Sequence, residues 1–137
     1  MRKLVYMSLT LVILFILSIS VAACNSGTSL TPEEEAILAY ANPATETTLQ
    51  GLSESNLDKY TQYGNAQFKA AVTQELLTQV TDQVNSELGA YKSKEFLRTE
   101  EQQGYIIVHY KAKYAKGEVG VRMVFDDDHL VAGQFFE

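Results

Sequence analysis

Tyr105-Ile106-Ile107-Val108-His109-Tyr110-Lys111-Ala112-Lys113-Tyr114 and then Val119-Gly120-Val121-Arg122-Met123-Val124-Phe125 place apolar residues at every second position. That period of two marks strands with one face in a core and one toward water. Lys116-Gly117 between them reads as a two-residue hairpin loop. Such a loop sets Tyr114 opposite Val119, Ala112 opposite Val121, Tyr110 opposite Met123 and Val108 opposite Phe125, one continuous apolar face. The next turn contains Asp126-Asp127-Asp128-His129. A loop of two residues here would carry Gln134 into the core, whereas a three-residue loop with His129 left-handed pairs Val131 with Phe125 and Phe135 with Val121. The bulged form is therefore expected. It leaves Ile107, His109, Lys111, Lys113, Arg122, Val124, Gln134 and Phe136 on the opposite, outer face.

Upstream the period lengthens. Leu76, Leu77, Val80, Val84 and Leu88 form a helical stripe over Thr73 to Leu88, closed by Gly89, and the stripe Leu76, Val80, Val84 is expected against Val121, Met123 and Phe125. Thr31-Pro32-Glu33-Glu34 announces another helix, with Thr31 as N-cap and Glu34 completing a capping box. Asn42-Pro43 is expected to kink or end it, with a second helical piece from Ala44 to Ser53. Ser55-Asn56-Leu57-Asp58 starts a short helix that stops at Tyr63-Gly64-Asn65. A first strand, Tyr91 to Glu100, and a last, Leu130 to Phe136, complete the set. The fold class is α+β, N-terminal helices packed on a C-terminal four-stranded antiparallel curved sheet.

The start of the chain reads differently. Arg2 and Lys3 precede an uncharged run, Leu4 to Ala23, which ends in small residues before Cys24, the single cysteine of the chain. This is the layout of a secretory signal and its cleavage site. Val21-Ala22-Ala23-Cys24 resembles the lipobox of prokaryotic lipoproteins, which implies acylation of Cys24 and removal of residues 1–23. Residues 24–30 then form a lipidated polar tether, and 31–137 one domain. An uncleaved anchor is the alternative, because the run is long enough to span a bilayer. Both place the domain outside the cytoplasm at the cell membrane, since the basic residues precede the run and none follows until Lys59.

Eleven basic residues against seventeen acidic ones give a formal charge of −6, which opposes nucleic-acid binding. With its cysteine used for lipid, the domain has no disulfide and no thiolate metal site. Asp126-Asp127-Asp128-His129 lacks the alternation and the terminal Glu of a calcium loop and reads as a solvated turn, so no metal or other cofactor is expected. No Gly-x-Ser-x-Gly elbow occurs, and the two histidines, His109 on a strand and His129 in a turn, form no visible catalytic pair. The outer face instead offers a candidate interaction surface, with Ile107, Val124 and Phe136 as apolar centre and His109, Lys111, Lys113 and Arg122 as a basic strip. A second copy of the chain, another envelope protein or an anionic polymer are the partners such a face would take.

Gly104 to Tyr114, Lys116-Gly117-Glu118-Val119 and Phe125 to Gly133 resemble the domain of unknown function DUF3887, over a region from about Thr45 to the end. Members often carry glycine where His129 stands and lysine where Leu130 stands. The family occurs in prokaryotic lipoproteins and beside hydrolase domains, and is similar to the nuclear-transport-factor-2-like cone, in which helices close one face of a curved sheet around a pocket. The resemblance implies that fold and no catalytic set. Some cone folds are isomerases with a pocket carboxylate. Here Tyr40, Tyr60, Tyr110 and Tyr114 are the polar groups expected to reach a pocket, and the reading is a small ligand-binding or interaction domain, with a pocket enzyme or an accessory subunit of an envelope hydrolase as the alternative.

Overall fold

The computed structural model describes residues 29–137, so the leader, Cys24 and most of the tether lie outside the described residues. The order is α1 (Pro32–Ser53), α2 (Leu57–Tyr60), α3 (Ala66–Ala71), α4 (Gln74–Glu87), β1 (Tyr91–Gln102), β2 (Tyr105–Tyr114), β3 (Glu118–Phe125) and β4 (Val131–Phe136). The strands form an antiparallel meander in the order β1-β2-β3-β4. This is the α+β architecture expected from the change of period. No helix among the described residues is long and apolar enough to cross a membrane.

Every helix begins on a side-chain cap. Thr31, Asn56, Asn65 and Thr73 each accept the backbone N–H three residues on, and Glu34 returns the bond to Thr31 N at 2.9 Å. The Asn65 cap opens α3, an additional short helix between the Tyr63-Gly64-Asn65 stop and α4. Nor does Asn42-Pro43 break α1, which continues for 22 residues. Proline removes the N–H that would bond the Ala39 carbonyl, but Ala39 and Pro43 both face water, while Ala41, Ala44 and Thr45 are buried beside them. Burial on one face outweighs a lost bond on the other.

The inner face of the sheet carries Val108, Tyr110, Ala112, Val121, Met123, Phe125 and Val131, all fully buried in one cluster with Ala41, Ala44, Leu49 and Leu52 of α1. Gly51 brings α1 and α2 together, since a Cβ there would sit 2.3 Å from the Tyr60 backbone nitrogen. In α4 the buried residues are Leu77, Thr81 and Val84, whereas Leu76 and Val80 of the expected stripe face solvent. The helix is rotated because its attachment to α1 is polar: the Thr81 hydroxyl donates to the Leu52 carbonyl at 2.6 Å.

Register differs from expectation at two turns. Ala112 faces Val119, Tyr110 faces Val121 and Val108 faces Met123, a slip of two residues that keeps each side chain on its expected face. The loop widens to Tyr114–Gly117 because two of its amides bond the link between α4 and β1: Lys116 N donates to Leu88 O at 2.8 Å, and Ala115 N to Ala90 O at 2.9 Å. The second turn has His129 left-handed at φ 61°, and Phe125 pairs with Val131, both as expected. A further irregularity follows at once, Val124 pairing with Gly133, and it flips the rest of β4. Phe136, not Phe135, faces Val121; Gln134 turns inward and accepts the Tyr60 hydroxyl at 3.0 Å. Phe135 takes the outer side, its ring lying over Gly133, where a Cβ would be 2.8 Å from Cε2.

Candidate functional site

The outer face of the sheet is built by the alternate residues of β1 to β4. It brings Ile107, His109, Lys111, Lys113, Arg122 and Val124 together as the spacing requires, but not Phe136, which packs on the helix side. Phe135 replaces it and is 47% exposed, with the Arg122 guanidinium 4.8 Å from its ring centroid. Ile107 and His109 are buried and Val124 is half-buried, so Phe135, with Tyr105 at the start of β2, carries most of the accessible apolar surface. The sequence signal for the exchange was Gly133, since glycine within a strand marks a bulge.

The basic strip is neutralised by its neighbours. Lys111 lies 3.9 Å from Glu118, Lys113 4.0 Å from Glu95, Arg122 3.8 Å from Glu137 and Arg98 2.8 Å from Glu100. Exposed pairs of this kind contribute little stability, but they remove the positive field that an anionic polymer would need. His109 sits between two carboxylates, Nδ1 at 3.1 Å from Glu137 and Nε2 at 3.2 Å from Glu100. Hydrogen bonds from His109 and then Arg98 hold Glu100 below the ordinary carboxylate range. Such a ring ties β1, β2 and the residue after β4 together.

On the other face the helix-covered space is filled, with Tyr110, Phe125, Leu49, Leu52, Leu77 and Met123 its largest fully buried side chains. A polar network runs along one side of α1. Asn42 Oδ1 accepts from Tyr110 Oη at 3.1 Å and Lys94 Nζ at 3.2 Å, and Glu46 accepts from Tyr91 Oη at 2.8 Å and Gln50 Nε2 at 2.9 Å. Burial lowers the Lys94 ammonium and pushes the Tyr60, Tyr110 and Tyr114 phenols up to about 12. Phenols so high exchange protons poorly near neutrality, and the network serves to dock α1 on β1 and β2. Tyr40 differs from its three counterparts. It is half-buried and stacks on the His129 ring, centroids 4.1 Å apart and planes within 2°. Asp126 closes the turn beneath, accepting from Leu130 N, Asp128 N and Asn65 Nδ2.

A separate groove of about 280 Å³ opens where α4 meets β3 and β4. Val80, Gln83, Val84, Glu87 and Leu88 form one wall, Val119 and Phe136 the other. Phe136 therefore belongs to this groove and not to the outer face.

The family described as Protein of unknown function (DUF3887) matches residues 45–133, well over half of the chain. The chain belongs to this family. The DUF3887 region takes in the second half of α1, all of α2 to α4, β1 to β3 and β4 as far as Gly133, while Asn42 and the Phe135-Phe136-Glu137 end lie beyond it. Among solved structures this DUF3887 chain is similar to an NTF-2-like protein of unknown function from Burkholderia xenovorans LB400, 12% identical, with 72% of this chain and 84% of that chain covered and a TM-score of 0.40. No curated protein matches it.

Proposed function

We propose that this protein is an extracytoplasmic lipoprotein, held at the cell membrane by acylation of Cys24, whose DUF3887 domain works by binding another protein and not by catalysis. The observation that carries the binding role is the outer sheet face, where Phe135 is exposed and Val124 half-buried within a border of mutually paired charges. An apolar centre with a charged border is the anatomy of a modest protein interface. A second copy of the chain is the simplest partner, because a two-fold axis places the same apolar residues against each other. The filled inner face and the high phenol pKa values favour this role over that of a pocket enzyme.

Anchoring follows from the position of Cys24 after Val21-Ala22-Ala23. One acyl chain holds a protein at a membrane with only about 10⁴ M⁻¹, so stable attachment needs at least two. Cys24→Ala is expected to release the protein from lipid modification, with the leader retained. Mass spectrometry of the membrane fraction checks this, and a Cys24→Ala protein that still carries acyl chains and a trimmed N-terminus overturns the lipoprotein reading.

A further inference from the structure

We propose that the solvent face of α4, together with the groove beside it, is a docking surface for a basic amphipathic segment of a second protein. The inference rests on the binding role above but uses a surface distinct from the outer sheet face. Its basis is an inversion in α4. The buried side holds a threonine, Thr81, while Leu76 and Val80 stand outside, 45% and 36% exposed. Lone exposed apolar residues are ordinary, but these two lie one helical turn apart, and Val80 continues into the groove formed with Leu88, Val119 and Phe136. The result is one apolar track that starts on the helix and ends at the sheet edge.

Charge selects the occupant. Gln74 to Glu87 contains Glu75, Asp82 and Glu87, all exposed, and no basic residue. Glu87 lines the groove itself, whereas Glu118 and Glu137 are turned to Lys111 and Arg122 on the outer sheet face, so the acidic border is that of α4. Lys116 donates to the Ser86 carbonyl at the C-terminal end of α4 at 2.9 Å, one positive charge against the three carboxylates of the helix. An apolar track within an acidic border repels an anionic bilayer and attracts a helix with lysine or arginine beside its apolar stripe. Apolar anchors spaced by three and four residues on such a helix fit a groove of this kind.

The test uses the full chain in zwitterionic nanodiscs, or in solution if it proves not to be membrane-bound, so that failure of the anchor leaves this experiment intact. Two labelled helical peptides share one leucine stripe, flanked in the first by lysine and in the second by glutamate. Anisotropy is expected to show the lysine peptide binding at least tenfold more tightly, with affinity falling as salt rises. The double variant Leu76→Gln/Val80→Gln is expected to lose at least tenfold with an unchanged Tm, whereas Val124→Glu leaves peptide binding as it was, which separates this surface from the sheet face. Equal binding of the two peptides, or full binding by the double variant, overturns the proposal. So does protection of α4 amides from hydrogen exchange by anionic nanodiscs without peptide, which would make the occupant a membrane, or protection that rises with protein concentration alone, which would make it a second copy.

Discussion

Asp126 closes the β3–β4 turn with a single carboxylate, and its environment sets the sign of a pH effect. Burial acts to raise its pKa, but the Asn65 amide and the backbone N–H groups of Leu130 and Asp128 outweigh it and hold the group below its ordinary value. A depressed folded pKa gives stability that is complete above the unfolded carboxylate range, near about pH 4, and is lost as pH falls through the folded value. Asp126→Asn is expected to be less stable than the parent at neutral pH, with the gap closing in acid. Melting curves at about pH 7, 4 and 3 check this, and parallel curves for the two proteins would refute it. The tight turn and the left-handed His129 were legible because local chemistry decides them. The stacking of His129 on Tyr40 was not, since it joins α1 to a loop at the far end of the chain.

Among the elements, α4 shows the limit of periodicity. Leu76, Leu77, Val80, Val84 and Leu88 make a stripe wider than the surface that the fold covers, and the pattern alone does not say which edge is left in water. The bond from Thr81 to Leu52 O and that from Gln74 Nε2 to Ser55 O set the rotation. Leu77→Ala is accordingly expected to cost about 2–5 kcal/mol as a core truncation, and Val80→Ala within about 0.5 kcal/mol. Urea denaturation checks the pair; equal losses would mean that the stripe is buried as periodicity alone suggests. In α1 a local rule was overridden: proline should have interrupted the helix, yet the one carbonyl it orphans faces solvent.

At the scale of the whole molecule, the two sides of the sheet differ in what they can do. The inner side is filled, whereas the outer side exposes Phe135, keeps Val124 half-buried and is the surface proposed for self-association. Val124→Glu is expected to convert a dimer to a monomer without loss of fold, because the core lies across the sheet. Light scattering on the purified full chain decides this, and a wild-type protein that is monomeric at high micromolar concentration rules out the dimer. The sequence by itself determined the α+β class, the order of the strands, the faces of β2 and β3, the starts of α1, α2 and α4, and the bulged Asp126 turn, because caps, turn residues and periods of two or four act over a few residues. Tertiary structure alone decided the register of the first hairpin, the rotation of α4 and the continuity of α1, and it settled the exchange of Phe135 for Phe136 that Gly133 only signals. Each depends on a bond or contact between distant segments: loop amides on the link between α4 and β1, Thr81 on α1, burial beside Pro43, and Tyr60 on Gln134. The same distance explains the neutralised basic strip. Lysines on one strand were visible in the sequence, but the glutamates that pair with them come from its neighbours and from the residue beyond β4.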